Sequence, residues 1–306
     1  MKDFRDNKGS VTILMVMITG VIIVVGLGFN WLVKEHLKAS DGLKNKAEAI
    51  IKARSAYDTI IYQILNGRVS QKETLFAGGQ NFSGLKSLPL NNSKVLMADD
   101  IYIQAQDSNG MLSLATVKEA ALRQLIINID PAGDNSGFVD SFLDWMDADN
   151  FSRTNGAEDF YYQGKGLPWK PRNYPLQYKE EVTMIKGMND KLYGKIEPFL
   201  TMLPSTGFNP NTAGDAVLMA YLNINEDTLK TLRDYMAIKP VSSDTELFAL
   251  TGRHIVLEEG IYFFPSLYMD IKVTVGRPRS FYTIRSGISM IQNLSVPYSV
   301  FYWIEE

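Results

Sequence analysis

A chain of 306 residues, 45% hydrophobic and with a formal net charge of -3, is long enough for one or two globular bodies and offers no basic footprint for nucleic acid. It has no cysteine and only two histidines, His36 and His254, far apart in sequence, which excludes disulfide, thiol and histidine–metal chemistry. No Gly-x-Ser-x-Gly, phosphate-loop or His-Glu-x-x-His signature is present, and the chain is read as not an enzyme.

The chain starts with a short charged head (Lys2, Asp3, Arg5, Asp6, Lys8), then Gly9, Ser10 and an apolar run from Val11 to Val33. The run is long enough to cross a bilayer as one tilted helix. A secretory signal peptide has a shorter apolar core and a small-x-small cleavage site, which Asn30-Trp31-Leu32 is not. An uncleaved signal anchor fits the run. Lys34, Lys38, Lys44 and Lys46 follow it closely, so the positive-inside rule does not decide the orientation.

The layout of Lys8-Gly9-Ser10 and the run resembles a type IV pilin or pseudopilin precursor. That resemblance implies a leader cut between Gly9 and Ser10, a retained apolar helix and the bulk of the chain outside. Most members carry glutamate at the fifth mature position, and here that position is Leu14. A carboxylate in the membrane costs about 2.5–3.5 kcal/mol on insertion scales and is tolerated for its pairing with a neighbour's terminal amine. Leu14 removes both the cost and the attraction, which predicts a subunit suited to a filament tip. Ser10 is also a less usual first mature residue than Phe or Met.

Leu37, Leu43, Ala47, Ile50, Ile51, Ala53, Tyr57, Ile60, Ile61, Ile64 and Leu65 recur near a 3.6-residue period up to Asn66-Gly67. One helix of roughly 80 Å from Ser10 to Leu65 is predicted, with Asp41-Gly42 a point of fraying or bending. Its amphipathic outer half implies a sheet packed against it. Residues 67–95, rich in Gly, Ser, Asn and Pro, read as a loop with short strands. Ile101–Ile103 and Met111–Leu114 flank Asp107-Ser-Asn-Gly110, a hairpin signal.

From Val117 to about Met236 the pattern is helical, with segments at 117–129, 136–147, 179–187, 190–202 and 213–222. From Ile255 it returns to strands: Ile271, Val273 and Val275 alternate, and so do Tyr298, Val300, Tyr302 and Ile304. The simplest account is an α domain inserted into a β layer whose flanking strands pair with each other.

The inserted segment carries Phe142-Leu-Asp-Trp-Met-Asp-Ala-Asp149, Gly156-Ala-Glu-Asp-Phe-Tyr-Tyr162, Pro171-Arg-Asn-Tyr-Pro-Leu-Gln177, Ile185-Lys-Gly-Met188 and Asn209-Pro-Asn-Thr-Ala213. In this order and spacing they resemble the large minor pseudopilin K of the type II secretion system. That family also lacks glutamate at mature position five and has a strand-rich end like Phe301-Tyr-Trp-Ile-Glu305. The resemblance runs from leader to C-terminus, with 67–95 unmatched.

The fold class it implies is α+β. A long N-terminal transmembrane and spine helix packs on an antiparallel β layer, and a large all-α domain is inserted. The expected bounds are leader 1–9, membrane helix 10–33, outer spine 34–66, first β part 67–116, inserted α domain 117–240 and second β part 241–306.

The resemblance further implies one or two bound Ca2+ ions in the α domain, and the residues make physical sense of that. Calcium takes six to eight hard oxygen ligands from a flexible loop. Asp144 and Asp147 share a face at a helix end, Asp149 lies in the loop, and Glu158 and Asp159 return from its far side. Asp147, Asp149 and Glu158 match positions 1, 3 and 12 of an EF-hand loop, but Phe151 and Ser152 depart at positions 5 and 6. A solvated acidic turn is the plain alternative.

Leu176–Leu200 looks like a helix-hairpin-helix unit, and Asn209–Ala213 resembles the lead-in to such units in membrane-anchored DNA receptors. Its hairpin lacks the second glycine, and Lys179, Lys186, Lys191 and Lys195 balance Glu180, Glu181, Asp190 and Glu197. Phosphate binding needs net positive charge. The unit therefore reads as a packing module, with no nucleic-acid partner expected. Tyr161, Tyr162 and Trp169 read as core or partner contacts.

The function implied is a minor pseudopilin at the tip of the type II secretion pseudopilus, initiating it for export of folded proteins across the outer membrane. It would be single-pass in the inner membrane with its bulk in the periplasm. Its partners would be the I- and J-type minor pseudopilins, the major pseudopilin and the prepilin peptidase. A minor tip pilin of a type IV pilus shares these residue arguments. A membrane-anchored DNA-binding protein is the remaining alternative.

Overall fold

The fold was analysed in a computed structural model that describes residues 8–76, 84–131, 133, 137–256, 259–277, 280–292 and 295–306. The first seven residues of the expected leader lie outside these. Lys8, Gly9 and Ser10 form the first turn of α1 (Lys8–Asn66), a single helix of 59 residues that runs unbroken through Asp41-Gly42. It is the one described helix long and apolar enough to cross a membrane.

A five-stranded antiparallel sheet rests on the far end of α1. Its strands are β4 (Val95–Ala98), β5 (Ile101–Asp107), β8 (Tyr268–Arg277), β9 (Ser280–Ser289) and β10 (Ser299–Glu305), in the order β10-β9-β8-β5-β4. Ala49, Ala53, Ala56, Tyr57, Ile60, Ile61 and Ile64 are buried at helical spacing against alternating Ile271, Val273 and Val275 of β8 and Ile103 and Ala105 of β5. The alanines bring the helix axis close to the sheet. Tyr57 fixes its rotation: its hydroxyl lies 2.7 Å from Ser286 Oγ, and its ring meets Trp303 edge-on at 4.7 Å.

Packing starts later on the helix than its apolar pattern suggests. Leu37 and Leu43 are exposed because the sheet reaches only as far as Ala49, and Ile51 is exposed on the helix face turned away from the sheet. A smaller sheet of β1 (Arg68–Val69), β2 (Glu73–Leu75) and β3 (Ser87–Pro89) covers the end of α1 and buries Leu88.

The helical body follows β5. It comprises α2 (Glu119–Ile129), α3 (Phe138–Met146), α4 (Asp159–Gly164), α5 (Asp190–Ile196), α6 (Asp215–Leu222), α7 (Glu226–Ile238) and α8 (Asp244–Thr251). Its apolar core takes in residues from Leu112 to Phe263, separate from the core beneath the sheet. The return to strand expected from Ile255 comes instead at Tyr268, and the expected second β part from 241 opens with α8. Ser243 caps α8 through the Glu246 N–H, and α8 buries Leu247 in the helical core.

β5 pairs residue by residue with β8 across this insertion, from Ile101–Val275 to Asp107–Met269. The hairpin expected at Asp107–Gly110 does not form. Ser108–Gly110 is a 3-10 turn, and β6 (Leu112–Ser113) pairs in parallel with β7 (Leu200–Thr201) instead of turning back on β5.

Candidate functional site

The physical reason for the missing hairpin is a buried polar seam between sheet and helical body. Asp107, the last residue of β5, is fully buried. Its Oδ1 accepts from the N–H groups of Asn109 (3.1 Å) and Ser266 (2.8 Å), and its Oδ2 from Thr212 Oγ1 (2.8 Å) and Asn209 Nδ2 (3.2 Å). Four donors on one carboxylate offset much of its desolvation.

Asn211 exchanges two bonds with the backbone of Val241, and Asn109 Nδ2 reaches the Ile261 carbonyl at 3.0 Å. A Cβ at Gly110 would meet the Thr212 carbonyl oxygen at 2.6 Å, so only glycine allows this approach. The Asn209–Ala213 motif is thus the clasp of the seam. Its Asn211 and Thr212 N–H groups bond to Asn209 oxygens and do not face an outside anion.

The acidic loop is built at the C-terminus of α3. Asp147 caps the helix there, and Glu158 stands just before α4. One carboxylate oxygen each from Asp147, Asp149 and Glu158 lie within 4.8 Å of one another. The other two expected ligands stand apart from this trio. Asp144 is fully buried, accepts from the Arg153 N–H at 3.2 Å and faces Arg153 Nε at 3.4 Å. Asp159 sits 3.8 Å from Lys170 Nζ, with its Oδ1 buried and unbonded.

The electrostatics of the trio are unbalanced. Both Glu158 oxygens and Asp147 Oδ1 are buried without a hydrogen-bond partner. Burial, followed by the charges of Asp144, Asp147 and Asp149, pushes the Glu158 carboxyl up to about 7. Burial and then Asp149 also raise Asp147. Three converging carboxylates, with orphaned oxygens on Asp147 and Glu158, could hold a hard cation. A proton or such an ion would relieve the same repulsion.

Residues outside the expected set hold the loop in shape. Asn173, in the left-handed region at φ 53°, donates to the Asp149 carbonyl at 2.7 Å and to Asn150 Oδ1 at 3.0 Å. Lys186 Nζ binds the carbonyls of Asn155 and Gly156, both at 3.0 Å. A Cβ at Gly156 would run into the Asp144 carboxylate. Arg123 pairs with Asp140, which also accepts from the Asn155 N–H. The Gly156 and Asn173 signals were in the sequence: a glycine two residues before an acid, and an asparagine within Pro171-Arg-Asn-Tyr174.

The helix-hairpin-helix-like unit takes the form of a 3-10 turn (Lys179–Met184), Gly187 at φ 88° and α5, capped by Asn189. Its Lys186 N–H donates to the Tyr162 hydroxyl at 3.1 Å, and Gly187 lies against the backbone of Phe138. Tyr162 is fully buried and edge-on to Trp145 at 5.4 Å, while Trp169 Nε1 donates to the Met184 carbonyl at 3.0 Å. Hairpin and acidic loop are therefore one packed assembly.

Residues 95–205, which span β4 to the end of this assembly, match the family model "Type II secretion system (T2SS), protein K". The chain is 23% identical over 198 residues to the type II secretion system protein K of Pectobacterium carotovorum subsp. carotovorum, covering 58% of this chain and 60% of that protein. With the protein K of Aeromonas hydrophila it shares 25% identity over 194 residues, covering 62% of this chain and 54% of the relative.

The chain is similar to the type II secretion system protein K family over this stretch. Its matches span about three-fifths or less of the length of these two relatives. The fold has a counterpart among solved structures. A chain of the crystal structure of the GspK-GspI-GspJ complex from enterotoxigenic Escherichia coli aligns with a TM-score of 0.55 at 17% identity, covering 90% of this chain and 99% of that one. In this chain the helical insertion contains both the acidic loop and the hairpin.

Proposed function

We propose that this chain is a K-type minor pseudopilin of a type II secretion system, acting at the tip of the pseudopilus with I- and J-type minor pseudopilins. The observation that carries the proposal is the helical body inserted between β5 and β8, on a sheet that rests on the long α1. Filament subunits stack through such helices. A body of this bulk beside the sheet would collide with a subunit placed above it, which suits a terminal position. Leu14 supports the same position, since it offers no carboxylate for a neighbour's terminal amine.

In this reading α1 anchors the chain in the inner membrane as a single pass, with the sheet and helical body in the periplasm. The prepilin peptidase cuts between Gly9 and Ser10, and the major pseudopilin follows beneath. Ca2+ is held by Asp147, Asp149 and Glu158. Its role there is charge neutralisation that fixes the loop between α3 and α4. The chain carries no enzymatic activity in this scheme.

The decisive experiment is co-expression of the full chain with the I- and J-type minor pseudopilins of the same secretion cluster. A ternary complex that survives detergent extraction and gel filtration is expected. Failure to associate, alongside an I–J complex that forms without it, would refute the tip assignment. N-terminal sequencing of the membrane-extracted chain tests processing separately, with Ser10 expected as the first residue.

A further inference from the structure

The edge strand β10 has a bulge between Val300 and Tyr302, but from Tyr302 to Glu305 its register is regular and its outer edge is open. It pairs with β9 on one side only, and among the described residues no strand covers the other. Residues 299–304 read Ser-Val-Phe-Tyr-Trp-Ile, with no lysine or proline to discourage pairing. Val300, Phe301, Trp303 and Ile304 remain 45%, 52%, 41% and 43% exposed.

The ladder fixes which backbone groups are free. Glu306 and Thr283 exchange both of their bonds, so alternation along the antiparallel pair turns the N–H and C=O of Trp303 and Glu305 outward.

A cavity of about 360 Å³ opens beside this edge, between β10 and the segment that carries the hairpin. Leu176, Leu200, Met202, Phe301 and Ile304 give it apolar walls. Lys179, Glu197, Arg285 and Asp270 also line it, and they satisfy one another: Lys179–Glu197 at 2.6 Å and Arg285–Asp270 at 3.3 Å. The polar lining therefore asks for no ionic ligand, and the vacant contacts are apolar.

The rim differs. Glu180 on one wall forms no ion pair among the described residues, nor does Glu306, which follows Tyr302 and Ile304 on their face of β10.

We propose that β10 and this cavity form a docking site for an extended segment of another polypeptide, which adds to the sheet as a sixth strand. The free N–H and C=O groups of Trp303 and Glu305 bond to its backbone. A large apolar side chain of the segment fills the cavity, and a basic residue nearby faces Glu180 or Glu306. Main-chain pairing gives affinity, and the pocket and rim carboxylates give selectivity. This goes beyond the tip assignment and does not depend on which filament the chain caps.

The probe is the synthetic peptide acetyl-Lys-Val-Thr-Phe-Thr-Val-Lys-amide, titrated into the full chain in detergent with amide hydrogen exchange as readout. Saturable binding that slows exchange at the Trp303 and Glu305 amides is expected. The same peptide N-methylated on alternate residues keeps its side chains but cannot pair, and should bind at least about tenfold more weakly. Ile304→Trp fills the cavity from an exposed position and should weaken the unmodified peptide about as much while leaving the melting temperature unchanged. No binding up to about one millimolar, equal binding of the N-methylated peptide, or protection confined to other strands would each overturn the proposal.

Discussion

Glu158 contains the sharpest chemical tension in the molecule. Its carboxyl is raised from the usual 4.5 to about 7, so the folded chain without metal holds a proton that the unfolded chain releases. Its contribution to stability is then complete below about pH 4.5 and is lost as pH rises through 7. The whole effect is about 3 kcal/mol. Chelator-treated protein should melt progressively lower between pH 5 and 8, and Ca2+ should suppress that decline. Glu158→Gln removes the titrating group. In the variant the pH slope should flatten, and calorimetric Ca2+ affinity should fall at least tenfold. An unchanged affinity would remove Glu158 from the site.

At the scale of elements, the seam and the helix–sheet contact make separate predictions. Asp107→Ala leaves the Ser266 and Asn109 N–H groups, Thr212 and Asn209 without their acceptor, and should cost about 3–5 kcal/mol in denaturant unfolding. Ala53 is fully buried between α1 and the sheet. Ala53→Leu should overpack that contact and cost about 1–3 kcal/mol without touching Ca2+ binding.

Helices with strong periodicity were legible from the sequence, and so were the buried positions of β8. The seam was not, because Asp107-Ser-Asn-Gly110 has the composition of a hairpin turn and its true partners lie a hundred residues away. β10 also departed from its reading. Val300 and Ile304 alternate as a half-buried strand would, but an edge beside a cavity leaves both exposed. In the acidic loop the residue types pointed to a cation, while the division between Asp147, Asp149 and Glu158 and the outlying Asp144 and Asp159 depends on Arg153, Gly156 and Lys170. Spacing does not reveal those three contacts.

On the scale of the whole molecule, the stretch of α1 from Lys34 to Lys44 is exposed along its whole length among the described residues. At 1.5 Å per residue the body stands roughly 24 Å above Val33 on this part of the helix. Each residue also advances the azimuth by about 100°. Rod length therefore sets not only how high the sheet and helical body ride but which way they face. Seven added residues at Gly42 would lift the body by about 10 Å and turn it by only about 20°. Two added residues lift it by about 3 Å but turn it by about 200°. The association proposed above with I- and J-type minor pseudopilins should withstand the first change better than the second, as a pull-down from membranes would reveal. A free stretch of helix thus acts as a compass bearing, and its residue count, more than its residue identities, carries the direction.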